Sequence, residues 1–142
     1  MVEFRWVILC RELREDPAPS GLSVATLIGV SDRISAPLPA RVAPCAIAAC
    51  VASSGLDPLA THAVDMRVLS PSGYVCARIS GRLRVGMDGD AMWTFTFLDG
   101  ILLPEAGAYL SDFVVDGAFC GAVPVLTVAP ALVDDGGQTT AR

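Results

Sequence analysis

The sequence predicts an all-β protein, an antiparallel β-sandwich of about seven or eight strands with at most a short helical turn. Three observations carry this. No window of about eleven residues shows a clean 3.6-residue apolar period, so amphipathic helices are not indicated. Gly or Pro breaks the chain at short intervals. Between the breaks recur short runs of Val, Ile, Leu and aromatics, the composition and spacing of strands in a sandwich or barrel.

With 142 residues the chain is expected to fold as one domain over positions 1–133, followed by a polar, Gly-rich flexible tail over 134–142. A hydrophobic fraction of 53% supplies ample apolar surface to offset ordering entropy, which excludes an intrinsically disordered chain. Mean hydropathy is +0.55. The apolar excess has two readings: an Ala- and Val-rich composition, or a subunit interface beyond the core.

The formal charge is −5, with ten Arg and no Lys. Such an acidic chain lacks the footprint of a nucleic-acid binder and is not drawn to anionic membranes. Without Lys there is no Schiff-base chemistry and no P-loop lysine. The N-terminus lacks a basic start and a long apolar run, and the longest charge-free segments fall short of about 18 residues. A cytoplasmic address is expected. The five cysteines (Cys10, Cys45, Cys50, Cys76, Cys120) fit it: their number is odd, no zinc spacing occurs, and each sits in a strand-like apolar context.

Residues 4–13 open the chain as a strand, with Phe4, Trp6, Ile8 and Cys10 on one face and Arg5 and Arg11 on the other. Residues 14–21 read as a loop, and 22–30 as a strand with Gly29 a candidate bulge. Three prolines make 35–44 an edge or crossover. Residues 45–52, small and apolar throughout, suit a strand buried on both sides, with a short helix the alternative. Ser70-Pro71-Ser72-Gly73 has type I turn chemistry. As a four-residue hairpin loop it pairs Leu69 with Tyr74, Val68 with Val75, Met66 with Ala77 and Val64 with Ile79, and sets Asp65 against Arg78. In 91–98, Trp93, Phe95 and Phe97 should face the core and Thr94 and Thr96 solvent. Asp116-Gly117 predicts a type I′ hairpin turn.

Pro104-Glu105-Ala106-Gly107-Ala108-Tyr109, just before a strand, resembles the tyrosine corner of immunoglobulin-like sandwiches, in which the Tyr hydroxyl bonds to backbone a few residues upstream. The Cys–Trp–Cys pattern of antibody domains is absent. Read from about position 5 to 128, the chain also resembles a family of uncharacterised bacterial domains. The matching pieces are residues 9–15, 27–34 leading into Pro37 and Pro39, 68–73, and 103–109 with Asp116-Gly117. That resemblance implies an immunoglobulin-like β-sandwich and no assigned activity.

A catalytic constellation is not evident. The single histidine, His62, would have to serve any Ser-His-Asp arrangement, and no Gly-x-Ser-x-Gly elbow exists. Asp88 and Asp90 begin like a calcium loop, but the pattern stops at Ala91-Met92-Trp93, and turn acids explain them more simply. No catalytic, cofactor or metal residues are therefore assigned. One stripe remains: Tyr74, Cys76, Arg78, Ser80, Arg82 and Arg84 share a face if 74–85 is one strand. Tyr74, Arg78, Arg82 and Arg84 become the candidate interaction face, against the simpler reading of a solvated face with Arg78 already held by Asp65. Tyr109, Asp116 and Gly117 are the structural candidates. The expectation is a non-catalytic interaction or structural domain that self-associates or joins a bacterial assembly, with no nucleic acid, membrane or cofactor. The alternative is a small-ligand or carbohydrate-binding sandwich using Trp6, Trp93 or Tyr74.

Overall fold

Short β-branched and aromatic runs become strands throughout a computed structural model of the chain, which describes residues 2–17, 23–53, 55–57, 59–85, 90–133 and 139–140. Among these residues there are β1 (Val2–Cys10), β2 (Glu12–Pro17), β3 (Ser23–Ile28), β4 (Arg33–Ala36), β5 (Ala40–Val42), β6 (Cys45–Ser53) and β7 (His62–Leu69). The rest are β8 (Val75–Leu83), β9 (Asp90–Phe97), β10 (Ile101–Leu103), β11 (Gly107–Val115), β12 (Ala118–Pro130), β13 (Leu132–Val133) and β14 (Thr139–Thr140). The expected all-β sandwich is present, with more strands than expected. The surplus comes from short pieces: β5 pairs only with β10, β13 only with β14, and β2 only with β3. Most of the expected tail, at 134–138 and 141–142, lies outside the described residues.

Two sheets make the sandwich. One has the order β1-β6-β9 and the other β4-β12-β11-β7-β8. All neighbours are antiparallel except β4, which runs parallel to β12 as an edge strand. Segment 35–44 thus divides between the β4 edge and β5. The strand order matches an immunoglobulin-type arrangement of an A-B-E sheet facing a G-F-C-C′ sheet.

Between the sheets, Ile47, Ala49 and Val51 of β6 and Trp93, Phe95 and Phe97 of β9 meet Val64, Met66 and Val68 of β7 and Tyr109, Phe113 and Val115 of β11. Phe4 stacks on Phe113 at 3.8 Å between centroids and meets Trp93 edge-on at 6.0 Å. Burying a side chain such as Phe113 contributes about 1.5–3 kcal/mol. Cys45 to Ala49 are buried on a strand flanked on both sides, as their small size predicts.

Three expectations are corrected. First, β1 carries a bulge between Phe4 and Trp6. One extra residue reverses which side chains face inward. Phe4 stays in the core, Val7 and Leu9 join it, and Trp6, Ile8 and Cys10 fall on the outer face opposite Cys50, Ala48 and Ala46. Second, the strand predicted over 4–13 breaks at Arg11, and β2 continues through Pro17 where a loop was expected, because Glu12 to Pro17 pair with Ile28 to Ser23. Composition favoured a loop; pairing with β3 prevailed.

Third, the β7–β8 register differs by two residues from the one expected. Met66 meets Ile79 and Val68 meets Ala77. The Ser70 carbonyl accepts from the Gly73 N–H (2.9 Å) and the Ser70 N–H donates to the Tyr74 carbonyl (2.8 Å). With Gly73 at φ +90°, this is a type I turn followed by a left-handed residue, a three-residue loop. A further bulge between Val68 and Leu69 adds the second step. A two-residue shift preserves the faces, so Val64, Met66 and Val68 remain core.

The β11–β12 turn is as predicted: Val115 pairs with Ala118, and Asp116 (φ 50°) and Gly117 (φ 81°) both adopt positive φ. The tyrosine corner also forms, with the Tyr109 hydroxyl donating to the Glu105 carbonyl at 2.6 Å and accepting from the Glu105 N–H at 3.1 Å. Trp93, Phe95 and Phe97 are buried as expected.

Candidate interaction face

The outer face of the five-stranded sheet is ordered in rows set by cross-strand pairing, since paired residues point to one side. The middle row runs Arg78, Arg67, Asp112, Ala122 across β8, β7, β11 and β12. One neighbouring row is Val75, Leu69, Leu110, Pro124, and the other is Ser80, Asp65, Val114, Phe119. Beyond the latter, Arg82 lies opposite Ala63.

Charges in these rows are matched. Arg67 donates from Nε to Asp112 Oδ1 at 3.0 Å and through Nη2 to Oδ2. Arg78 makes the same fork on Asp65, at 3.0 and 2.6 Å, and the Ser80 hydroxyl adds a bond to Asp65 at 3.0 Å. Two-point pairing fixes the planar guanidinium groups. The Arg78 contact holds the Asp65 carboxyl below its ordinary range. Asp112 is only 3% exposed although it points away from the core, because Arg67 and its neighbours cover it. Around these pairs the surface is apolar. Phe119 is 64% exposed and Val75 40%, and Pro124 is exposed beside the half-buried Leu69, Leu110 and Val114. A cleft of about 290 Å³ opens in this face between Ala63, Asp65, Ser80, Gly81 and Val114.

Of the residues predicted for the face, Arg78 stands in its middle row on the edge strand β8, and Arg82 lies at its margin, donating to the Thr61 hydroxyl and carbonyl. Tyr74 is exposed in the turn at the end of β7–β8, and Arg84 lies beyond β8, its carbonyl accepting from Trp93 Nε1 at 2.9 Å. The stripe therefore does not continue unbroken. The bulge in β8 leaves Cys76 between Val75, the partner of Leu69, and Ala77, the partner of Val68, and Cys76 packs against the core. Sequence reasoning missed Arg67, Asp112 and Phe119. Alternation within 62–69 and 107–115 would have placed Arg67 and Asp112 outward, but only tertiary pairing brings β7 beside β11. Trp6 is 38% exposed on the outer face of β1-β6-β9, while Trp93 is buried.

His62 is a structural group. Nδ1 lies 2.7 Å from Asp116 Oδ2 and Nε2 3.0 Å from the Asp57 carbonyl, so both ring nitrogens face acceptors, the arrangement of an imidazolium. The Asp116 hydrogen bond, then that to Asp57, raise its pKa. With both nitrogens engaged it is poorly placed as a general base. Asp116 also accepts from the Ala63 N–H at 2.9 Å, tying the β11–β12 turn to β7. Burial pushes the thiols of Cys10, Cys45 and Cys76 up, away from the thiolate a nucleophile needs. Asp88 lies outside the described residues.

Among the described residues no group of three or more His, Cys, Asp or Glu is placed to hold a metal ion, and no helix is long and apolar enough to cross a membrane. None of the curated proteins matches the chain. A family model does match, over residues 16–128, which include the hairpin, the corner and the rows of the outer face. By that match the chain belongs to DUF6941, a family of unknown function.

Proposed function

We propose that this chain is a non-catalytic protein-interaction domain of the cytoplasm, docking through the outer face of β8, β7, β11 and β12. The observation that carries the reading is the setting of the Arg67–Asp112 and Arg78–Asp65 pairs: internally neutralised, and surrounded by Val75, Leu69, Leu110, Pro124, Val114 and an exposed Phe119. Aromatic residues and Arg are enriched in interfaces, and a matched charge pair costs less to desolvate than a lone one. The engaged nitrogens of His62 and the raised thiols support a non-catalytic role.

The test is recovery of partners, including further copies of itself, by the tagged chain in its host. Phe119→Arg should lose the bound partner while Trp6→Arg, on the opposite sheet, retains it. Partner recovery that Phe119→Arg leaves intact, or a purified chain that binds neither itself nor anything else at micromolar concentration, would overturn the reading.

A further inference from the structure

The outer-face rows also specify an occupant. We propose that a second copy of this chain covers the face, related by a two-fold axis running parallel to the strands between β7 and β11. The inference rests on the interaction reading above and adds the partner and its orientation.

A two-fold interface must be self-complementary, residue i meeting j and j meeting i. Turning the sheet about a strand-parallel axis keeps each row in place and exchanges its ends. Arg67 then lies over Asp112 of the second copy, and Asp112 over its Arg67, two cation–carboxylate contacts generated by one operation. In the next row Leu69 lies over Leu110 and Val75 over Pro124. In the row beyond, Phe119 lies over Ser80, at the cleft of about 290 Å³ lined by Ala63, Asp65, Ser80, Gly81 and Val114. An exposed aromatic knob thus ends a row whose other members, Ser80, Asp65 and Val114, border a cleft that Gly117 of the β11–β12 turn also lines. An axis across the strands would instead set Arg67 on Arg67 and Phe119 away from the cleft. The strand-parallel axis also gives aligned sheet packing, with strand directions within about 30°.

Charge and size agree. The chain carries −5 overall, whereas this face balances Arg67 and Arg78 against Asp112 and Asp65, so two copies meet here without the repulsion of their acidic surfaces. Four strands about 4.8 Å apart and about eight residues long span a flat footprint of roughly 500 Å². Side-chain relief raises this toward the roughly 800 Å² each partner gives a standard interface.

Sedimentation equilibrium of the purified 142-residue chain and its variants tests the proposal, with thermal midpoints confirming that each variant folds. The expected result is a mass of two chains, with the dissociation constant weakened at least tenfold by Phe119→Arg. Arg67→Asp and Asp112→Arg should each be monomeric alone and form a mixed dimer when combined. Under the strand-parallel axis, mixing sets the carboxylate introduced in one variant over the guanidinium introduced in the other. Where either charge variant fails to fold, Phe119→Arg and Val75→Arg, both at exposed positions, decide. A native mass of one chain overturns the second-copy inference but leaves the interaction reading standing if a host partner is still lost with Phe119→Arg. A dimer insensitive to Phe119→Arg, Val75→Arg and mixing places the interface elsewhere and overturns both.

Discussion

The two sheets of this sandwich share one core but present opposite kinds of outer surface. On β1-β6-β9 three successive outward rows, Trp6, Cys50, Met92; Ile8, Ala48, Thr94; and Cys10, Ala46, Thr96, carry no charge, and acids enter only in the last row, where Ala52 pairs with Glu3 and Asp90. Ala46, Ala48 and Cys10 are nonetheless buried. Ala46 and Ala48, small and on the central strand β6, are shielded by their neighbours on either side, and Cys10 at the end of β1 lies against β6, its thiol donating to the Ala46 carbonyl at 3.5 Å. On β8-β7-β11-β12 the outward rows carry two guanidinium–carboxylate forks and large side chains that stay exposed. An outward position is therefore not an exposed one: side-chain size and neighbouring strands decide, and only the second surface offers projecting groups to a partner.

Placing the same substitution on both surfaces should give the largest effect. Ala48→Gln, at a site 0% exposed, inserts a polar chain where there is no space and should cost about 3 kcal/mol. Ala122→Gln, exposed on the other sheet, should stay within about 0.5 kcal/mol of the parent. Denaturant midpoints measure both, and equal losses would erase the distinction.

Next in size is a contrast within the charged surface. Asp112→Asn should cost about 2 kcal/mol, because Asp112 is buried and its loss leaves Arg67 without its counter-charge; the partial exposure of Arg67 keeps the effect below that of a fully buried pair. Asp65→Asn, whose Arg78 partner is largely exposed, should cost no more than about 1 kcal/mol. The reverse ranking would mean that Asp112 is better hydrated than its burial implies.

The smallest effect is a pH dependence confined to one end of the five-stranded sheet. His62 has a raised pKa, so its contribution is full below the ordinary imidazole value of about 6.5 and is lost as pH rises through the folded value. Asp116 is lowered, chiefly by the same hydrogen bond, so its contribution is present above the ordinary carboxylate value of about 3.9 and is lost as pH falls through its folded value. Between about pH 4 and 6.5 the pair holds the β11–β12 turn most firmly. Hydrogen exchange should show the Ala63 and Asp116 amides, which bond across this junction, losing protection as pH is raised beyond the folded His62 pKa, after correction for intrinsic rates. The β6 and β9 amides should not change, and His62→Gln should abolish the difference. An NMR titration placing His62 at or below its ordinary value would refute the sign.

Local chemistry made much of this fold legible. Asp116-Gly117 specifies its turn because two positive-φ residues are needed there, and the Gly-x-Tyr segment specifies the corner because Tyr109 reaches its own upstream backbone. Alternation placed Trp93, Phe95 and Phe97 inward, and the small side chains of 45–52 marked a central strand. What failed were single-residue irregularities. The Phe4/Trp6 bulge reversed the outer end of β1, the Gly73 turn and the Val68/Leu69 bulge moved the β7–β8 register by two, and one of those steps took Cys76 out of the arginine stripe. Bulges answer to twist and to partner strands, so periodicity within one segment does not reveal them.

The candidate face was legible only in part, at Arg78 and its partner Asp65. By itself the sequence determined the strand-rich class, the turns, the corner and which residues of most strands face inward, because each follows from side chains within a few positions. Tertiary structure alone decided that β7 lies against β11, and with it the Arg67–Asp112 fork and the row that joins Phe119 to Ser80. Those residues are separated by tens of positions in the chain, and only the long-range pairing of four strands brings them into one surface.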